Sequence, residues 1–441
     1  MTERPVEPVQ TATAFVFEGP TPGSGEPGPS DAGAPSREGR WAVLGTTSLA
    51  HFVNDGTVFF IPVMADLLAS RGHLSATEVT VMLTVFYLSS ALAGIAVGRL
   101  ADRAGSRGAK MALGILGLAA GLTLFFAAAK VDGAALRVAL ALMAALVAGV
   151  GSSTYHPLGA TLITDAFAPA NRARALGANG ALGSLGRALY PTIFFSVTGL
   201  LASQASALVV FAVIATGAAA LLWMARTDAA PRSARQAQRP SATKGGWLDR
   251  NVTILTVVSL LRSVAFTGMV AWLPTYFTRE RSLGLSTELG LMVTLLYAGG
   301  IVGQPVFGLL ADRVDKRLML AVATLGAAAT TFGYLHTGGA LGLVLLGAFG
   351  VFNFSGFPLL MSLVADYVPK GGSTTANAFV WGLGSTGGQA IGPLVIGLLA
   401  LSSYRNLAGS FEILAVIAVV GLFGLLLMSK TEQHSKPQLF G

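Results

Sequence analysis

The sequence predicts an all-α polytopic membrane protein, with twelve transmembrane helices in two pseudo-symmetric six-helix bundles. Three observations carry that expectation. Hydrophobic residues make up 53% of the 441 and charged residues only 11%, against roughly 25% charged in a soluble domain. Apolar runs of spanning length recur along the chain. One short motif occurs twice, about half a chain apart: Gly98-Arg99-Leu100-Ala101-Asp102-Arg103 and Gly308-Leu309-Leu310-Ala311-Asp312-Arg313. Each copy sits where an apolar run ends and basic residues begin, the pattern of a membrane protein built from two related halves.

In chain order, residues 1–40 are rich in Pro, Gly, Ser, Glu and Ala and lack an apolar h-region, so they read as a disordered cytoplasmic tail and not as a cleaved signal peptide. Apolar runs follow at 41–70, 77–101, 109–130, 135–167, 171–202, 205–226, 249–279, 286–311, 317–336, 339–368, 372–402 and 406–429. Each is long enough for a hydrocarbon core of about 30 Å. Pro inside several of them is tolerated in membrane helices. Between the sixth and seventh runs, residues 227–248 turn to Arg, Ser, Pro, Gln and Lys, a solvated cytoplasmic linker. It divides an N-terminal bundle, 41–226, from a C-terminal bundle, 249–430, which is followed by a short cytoplasmic tail, 431–441.

Lys and Arg divide roughly 18 to 6 in favour of the loops that share a side with the termini, which places both termini in the cytoplasm and the chain in the cytoplasmic (inner) membrane as a multi-pass protein. The halves also repeat in detail: Pro62 matches Pro274, Pro157 and Asp165 match Pro358 and Asp366, and Pro191 matches Pro393. The formal charge of +8 follows membrane orientation. Its basic residues form no aromatic-interleaved patch, so no nucleic-acid partner is expected. With no Cys, and no HxxxH or HxH spacing among five His, neither a thiol nucleophile nor a metal site is expected. No nucleophile-elbow or Walker-type element is present, so the chain reads as neither an enzyme nor an ATP-driven pump, and no cofactor is expected.

The paired loops resemble the signature of the major facilitator superfamily, G-x-L-A-D-R-x-G-R-K. The first copy continues Ala104-Gly105-Ser106-Arg107, and the second ends Val314-Asp315-Lys316-Arg317. The resemblance covers nearly everything after the tail and implies a major-facilitator-type fold working by alternating access. A narrower resemblance is to the fosmidomycin-resistance branch, through Leu49-Ala50-His51-Phe52-Val53-Asn54-Asp55 and Gly151-Ser152-Ser153-Thr154-Tyr155-His156-Pro157. Leu158 stands where that branch tends to carry an acid, and Ala145 stands near the place of the superfamily's usual fourth-helix Arg.

His51, Asn54 and Asp55 have i, i+3, i+4 spacing and share one face near the middle of the first helix. A carboxylate at that depth costs about 2.5–3.5 kcal/mol on insertion scales and is a functional candidate by default. Two readings stand. Asp55 exchanges a proton as a cavity changes exposure, with His51 as relay, or it forms a permanent ion pair with a buried Arg. His156 either hydrogen-bonds substrate or is a satisfied core histidine. Arg187 and Arg262 are the other deep charges, and two guanidiniums against one obvious midplane acid leave a positive surplus that an anionic substrate neutralises. The resemblance implies that the seventh helix lines a cavity, favouring Arg262 as anion contact. It places the fifth helix between the halves, where Arg187 pairs with Asp55 or controls gating.

Asn54, Tyr155, Asn353, Phe357, Asn377, Trp381 and Gln389 complete the candidate substrate site. Asn377, Trp381, Ser385 and Gln389 recur every four residues as a polar-aromatic stripe; ordinary interhelical packing accounts for any single member equally well. The resemblance also implies a gating network of Gly98, Asp102, Arg103 and Asp165 with Gly308, Asp312, Arg313 and Asp366, the loop acids sitting against helix N-termini and basic partners.

The expectation is a secondary active transporter, a proton-coupled exporter of a small anionic or amphiphilic compound, with protons and the lipid bilayer as its other partners. A proton-coupled importer of an organic anion fits the same residues, because direction depends on relative affinities in two states. A non-transporting receptor or scaffold is the reading from another class. A twelve-helix carrier can work as a monomer, and a monomer is expected.

Overall fold

The protein is described by a computed structural model covering residues 37–70, 74–101, 106–167, 169–225, 250–311, 314–367, 376, 379–400, 404 and 406–429. Its elements are α1 (Arg37–Ser70), α2 (Ala76–Ala101), α3 (Arg107–Lys130), α4 (Ala134–Ser152), α5 (Tyr155–Ala166), α6 (Pro169–Leu201) and α7 (Gln204–Met224), then α8 (Arg250–Arg279), α9 (Thr287–Ala311), α10 (Lys316–His336) and α11 (Gly339–Tyr367). A π-helical turn (Val380–Thr386) leads into α12 (Gly387–Leu399), followed by α13 (Leu407–Gly421) and the short α14 (Phe423–Leu426). Among the described residues, ten helical spans are long and apolar enough to cross a membrane, and every described element is helical. Long apolar side chains such as Leu92, Leu200, Leu309 and Leu426 face outward, as a lipid-facing surface requires. The tails and the 227–248 linker lie outside the described residues.

Twelve apolar runs become more than twelve elements because three of them break, the last at Leu422 between α13 and α14. The fourth run divides at Ser153-Thr154. Pro157 has no N–H to offer the carbonyl four residues back, Ser153, and its ring crowds that carbonyl. The hydroxyls of Ser152, Ser153 and Thr154 turn back onto the carbonyls of Gly149, Val150 and Gly151, at 2.9, 2.7 and 3.0 Å. In the eleventh run the π-helical turn loosens the ladder, and Ser263 of α8 donates its hydroxyl to Ser385 O at 2.7 Å. A β-carbon on Gly392 would lie 2.9 Å from Gly268 Cα, so the absence of side chains lets α8 and α12 touch backbone to backbone.

The packing repeats between the halves: α1 with α6 and α8 with α12, α3 with α4 and α10 with α11, α2 with α4 and α9 with α11, α3 with α7 and α10 with α13. Between the halves, α6 packs on α9, α2 on α12 and α1 on α8. Hydrogen bonds at these junctions gather toward the end of α1 away from the chain termini, here called the distal end. Tyr297 Oη donates to Phe59 O at 3.2 Å, Thr278 Oγ1 to Asp66 Oδ1 at 2.9 Å, Arg279 Nη2 to Ala69 O at 2.6 Å and Tyr404 Oη to Leu74 O at 3.0 Å. Thr294 binds the Thr192 hydroxyl at 2.7 Å and donates to the Ala188 carbonyl. The halves are joined at the distal end.

Candidate functional site

Asp55 is 3% exposed midway along α1 and is the centre of a polar cluster. His51 Nε2 lies 3.3 Å from its Oδ2, His156 Nε2 3.4 Å from its Oδ1, and Arg187 Nε 3.7 Å from Oδ2. Asn54 Nδ2 donates to Oδ1 at 3.1 Å. Helical spacing puts His51 and Asp55 on one face of α1. The Pro157 break starts α5 at Tyr155-His156, opposite that face, and α6, packed along α1, delivers Arg187.

A second layer holds His51. Its Nδ1 lies 2.9 Å from Asn179 O and 3.0 Å from Asn179 Oδ1. The Tyr155 hydroxyl also donates to Asn179 Oδ1, at 2.8 Å, while Asn179 Nδ2 donates to Ser48 Oγ. Tyr155 stacks on the His51 ring at 4.5 Å. Both groups facing Nδ1 are acceptors, so Nδ1 carries the hydrogen. In a neutral imidazole Nε2 then holds a lone pair, aimed at a carboxylate oxygen 3.3 Å away. Two lone pairs at that distance repel, and one proton, on Nε2 or on Asp55, converts the contact into a hydrogen bond. The contact requires one hydrogen between Nε2 and the carboxylate.

Room for this arrangement comes from α6. A β-carbon on Gly183 would lie 2.3 Å from His51 Nε2, and one on Gly186 would lie 2.2 Å from Phe52 O. Arg187, one turn after Gly183, donates to Ser184 Oγ at 2.6 Å and lies over the rings of Phe59, at 5.2 Å, and Phe354, at 5.6 Å. Phe59, Tyr297 and Phe354 contact one another with centroids 5.3–6.4 Å apart, an aromatic box contributed by both halves. Arg187 thus touches an acid of one half and a ring of the other. The donor atoms of His51, Asp55 and His156 all lie within 4.8 Å of one another. The Arg187 guanidinium beside the same carboxylate opposes a divalent cation there, so the cluster reads as an ion-pair network.

Arg262 is buried inside the C-terminal half, where Nε donates to Thr324 Oγ1 at 3.2 Å and Nη2 to the carbonyls of Phe352 and Asn353 at 3.1 and 2.7 Å. No carboxylate lies within ion-pair distance of it among the described residues. Asn353 therefore meets Arg262 through its backbone. Gln389 is half-buried on α12, whose π-helical turn also contains the backbone of Trp381. Asn377 lies outside the described residues, as do the side chains of Phe357 and Trp381.

Of the gating residues, Gly98 and Gly308 lie near the ends of α2 and α9. Asp366 accepts from Lys316 Nζ at 2.7 Å, tying α11 to α10. Asp102, Arg103, Asp312 and Arg313, and the side chain of Asp165, lie outside the described residues. Each motif ends in a helix cap: Ser106 Oγ accepts from Ala109 N at 3.0 Å, and Asp315 Oδ1 from Arg317 N at 2.8 Å. Arg317 also reaches the Asp315 carboxylate at 2.7 Å, and this hydrogen bonding holds the Asp315 carboxyl below its usual range.

Sequence reading missed Asn179 and Ser48, which orient the cluster, and Phe59, which joins it to the box. A signal was present for each. Ser48, His51 and Asp55 follow helical spacing, as do Asp55 and Phe59, and Asn179, Gly183 and Arg187 recur every four residues on one face of α6.

A family model described as Major Facilitator Superfamily matches residues 47–388. Over 388 residues the chain is 24% identical to a protein named probable sulfoacetate transporter SauU, of Cupriavidus necator, covering 82% of this chain and 87% of that one. It is 29% identical over 175 residues to multidrug resistance protein MdtG of Citrobacter koseri, covering 36% of this chain and 40% of that protein. Two further relatives are matched over only 61% and 42% of their own lengths. Among solved structures, a nucleoside transporter, NupG, superposes with a TM-score of 0.72 at 12% identity, covering 88% of this chain and 100% of that one.

Proposed function

The chain belongs to the Major Facilitator Superfamily of membrane transporters, and from that premise we propose that it is a proton-coupled exporter of a small anionic or amphiphilic compound, with Asp55 as the coupling residue and His51 as its relay. One observation carries the reading: His51 Nε2 and the Asp55 carboxylate face each other at 3.3 Å, beside a His156 side chain that is 57% exposed. In this scheme the substrate occupies the cluster only while Asp55 is ionised, and the aromatic box of Phe59, Tyr297 and Phe354 beside Arg187 receives its apolar part. Arg262 adds a second buried positive charge in the other half. His156, Asn54 and Tyr155 line the approach, and Asn353, Phe357, Asn377, Trp381 and Gln389 are assigned to the facing wall. Proton entry at Asp55 drives the half-cycle that releases substrate, and the loop acids with Asp165 and Asp366 latch the end opposite the distal one, taken as cytoplasmic.

The names of MdtG and SauU, one a multidrug resistance protein and one a sulfoacetate transporter, fit a small amphiphilic or anionic cargo. An importer of an organic anion uses the same groups in the opposite productive direction. The test is proton movement in sealed everted vesicles on addition of fosmidomycin and then of a panel of organic anions and cations. Substrate-triggered loss of an imposed proton gradient is expected with the wild type and not with Asp55→Asn. Equal responses from the two proteins return Asp55 to a purely structural ion pair.

A further inference from the structure

We propose that Asp66 is a second proton-binding site, separate from Asp55, which joins the two halves at the distal end when protonated and lets them part when ionised. Asp66 lies fifteen residues beyond His51 on α1 and is 0% exposed. Its Oδ1 accepts the Thr278 hydroxyl of α8 at 2.9 Å, while its Oδ2 is buried without a hydrogen-bond partner. The Arg279 guanidinium next to Thr278 acts on Asp66 only from beyond ion-pair distance and is hydrogen-bonded elsewhere: Nη2 donates to Ala69 O at 2.6 Å and the group lies 5.0 Å over the Tyr404 ring. No cation lies within ion-pair distance of Asp66 among the described residues. The other charged and titratable groups of this region are similarly engaged. Glu280, just past α8, accepts from the backbone N–H groups of Leu407 and Ala408, Tyr404 donates to Leu74 O, and Glu78 of α2 accepts from Ser75 N. Arg71 and His73 lie outside the described residues.

A charged carboxylate with an orphaned oxygen in this interior costs far more than the neutral acid. Parting of the halves removes Thr278 and admits water, which favours the ion. Protons therefore bind more tightly to the joined form, and by linkage acid favours joining while alkali favours parting. The position is special in the repeat as well. Asp66 and Thr278 are 212 residues apart, like Pro62 and Pro274, so equivalent positions of α1 and α8 touch each other. Equivalent positions in contact straddle the axis relating the halves, where a rocking motion makes or breaks that contact directly.

The chain has no Cys, so Thr77→Cys and Thr287→Cys, exposed positions at the starts of α2 and α9 in different halves, place one spin label on each side of the distal end. Inter-label distances are measured in lipid nanodiscs from roughly pH 5 to 9, a range spanning the shifts that buried carboxyls undergo. The wild type is expected to give the short distance in acid and a growing long-distance population in alkali. Asp66→Asn, whose amide mimics the neutral acid and still accepts from Thr278, is expected to stay short throughout, while Asp55→Asn keeps a pH-dependent distance. A pH-independent wild type, or an Asp66→Asn protein that tracks it, overturns the proposal. If Asp66→Asn is not recovered folded, the infrared band of a protonated carboxyl decides: it is expected in Asp55→Asn protein at neutral pH, to be lost as the labels separate, and its absence overturns the proposal.

Discussion

Asp55 is held by four neighbours drawn from three helices, and the chemistry proposed for it rests on which nitrogen of His51 carries hydrogen. The spacing of His51, Asn54 and Asp55 was legible because helical periodicity alone places them on one face. Asn179 shares a face of α6 with Gly183 and Arg187, a spacing visible in the sequence, but its role comes from His51, 128 positions away. Arg187 beside Asp55 was one of two readings left open, and the geometry adds its second contact, Phe354 of the other half. Gly183 carries a prediction at this scale. In Gly183→Ala the new methyl falls on the His51 ring, an overpacking expected to cost about 1–3 kcal/mol. Thermal melts should register that cost, and the vesicle assay should lose proton coupling. Unchanged stability together with unchanged coupling would show that His51 does not need the space. Asn179→Leu removes the side-chain acceptor at His51 Nδ1, keeping the backbone one, and should weaken coupling while leaving Asp55 beside Arg187, checked by the same assay.

Among the elements, the breaks were harder to read than the spans. Pro157 marked where α4 and α5 part, but a proline inside a membrane run is tolerated as often as it interrupts. The π-helical turn before α12 has no comparable signal, since it depends on the Ser263 hydroxyl of α8 taking the Ser385 carbonyl. The motif tails, by contrast, end in ordinary caps. Asp315 starts α10 and is bound by Arg317, so Asp315→Ala should lower stability by no more than about 1 kcal/mol, the cap value discounted for an exposed pair. The carboxyl is held below its usual range in the folded state. Its contribution is therefore complete above the unfolded value of about 3.9 and is lost as pH falls through the folded one. Melting wild type and variant at neutral pH and again below about pH 3 should show a difference that closes in acid; a constant difference would mean the cap works without its charge.

For the whole molecule, composition and the paired motif were enough to read a two-half helical carrier, because lipid forces the apolar surface and duplication leaves its offsets in the sequence. Which end is joined was not legible. It depends on contacts such as Thr278 with Asp66 and Tyr404 with Leu74, whose partners lie 212 and 330 residues apart. If state and protonation are linked as proposed, through Asp55 and the joined distal end, coupling follows where substrate and proton displace each other at one cluster. The most direct test is a proton count on the purified protein in weakly buffered solution with a pH indicator, adding the compound that responds in vesicles. Wild type is expected to release about one proton per substrate bound, as competition for a single site requires, and Asp55→Asn none. Binding without proton release in the wild type, or equal release by the two proteins, would contradict the account.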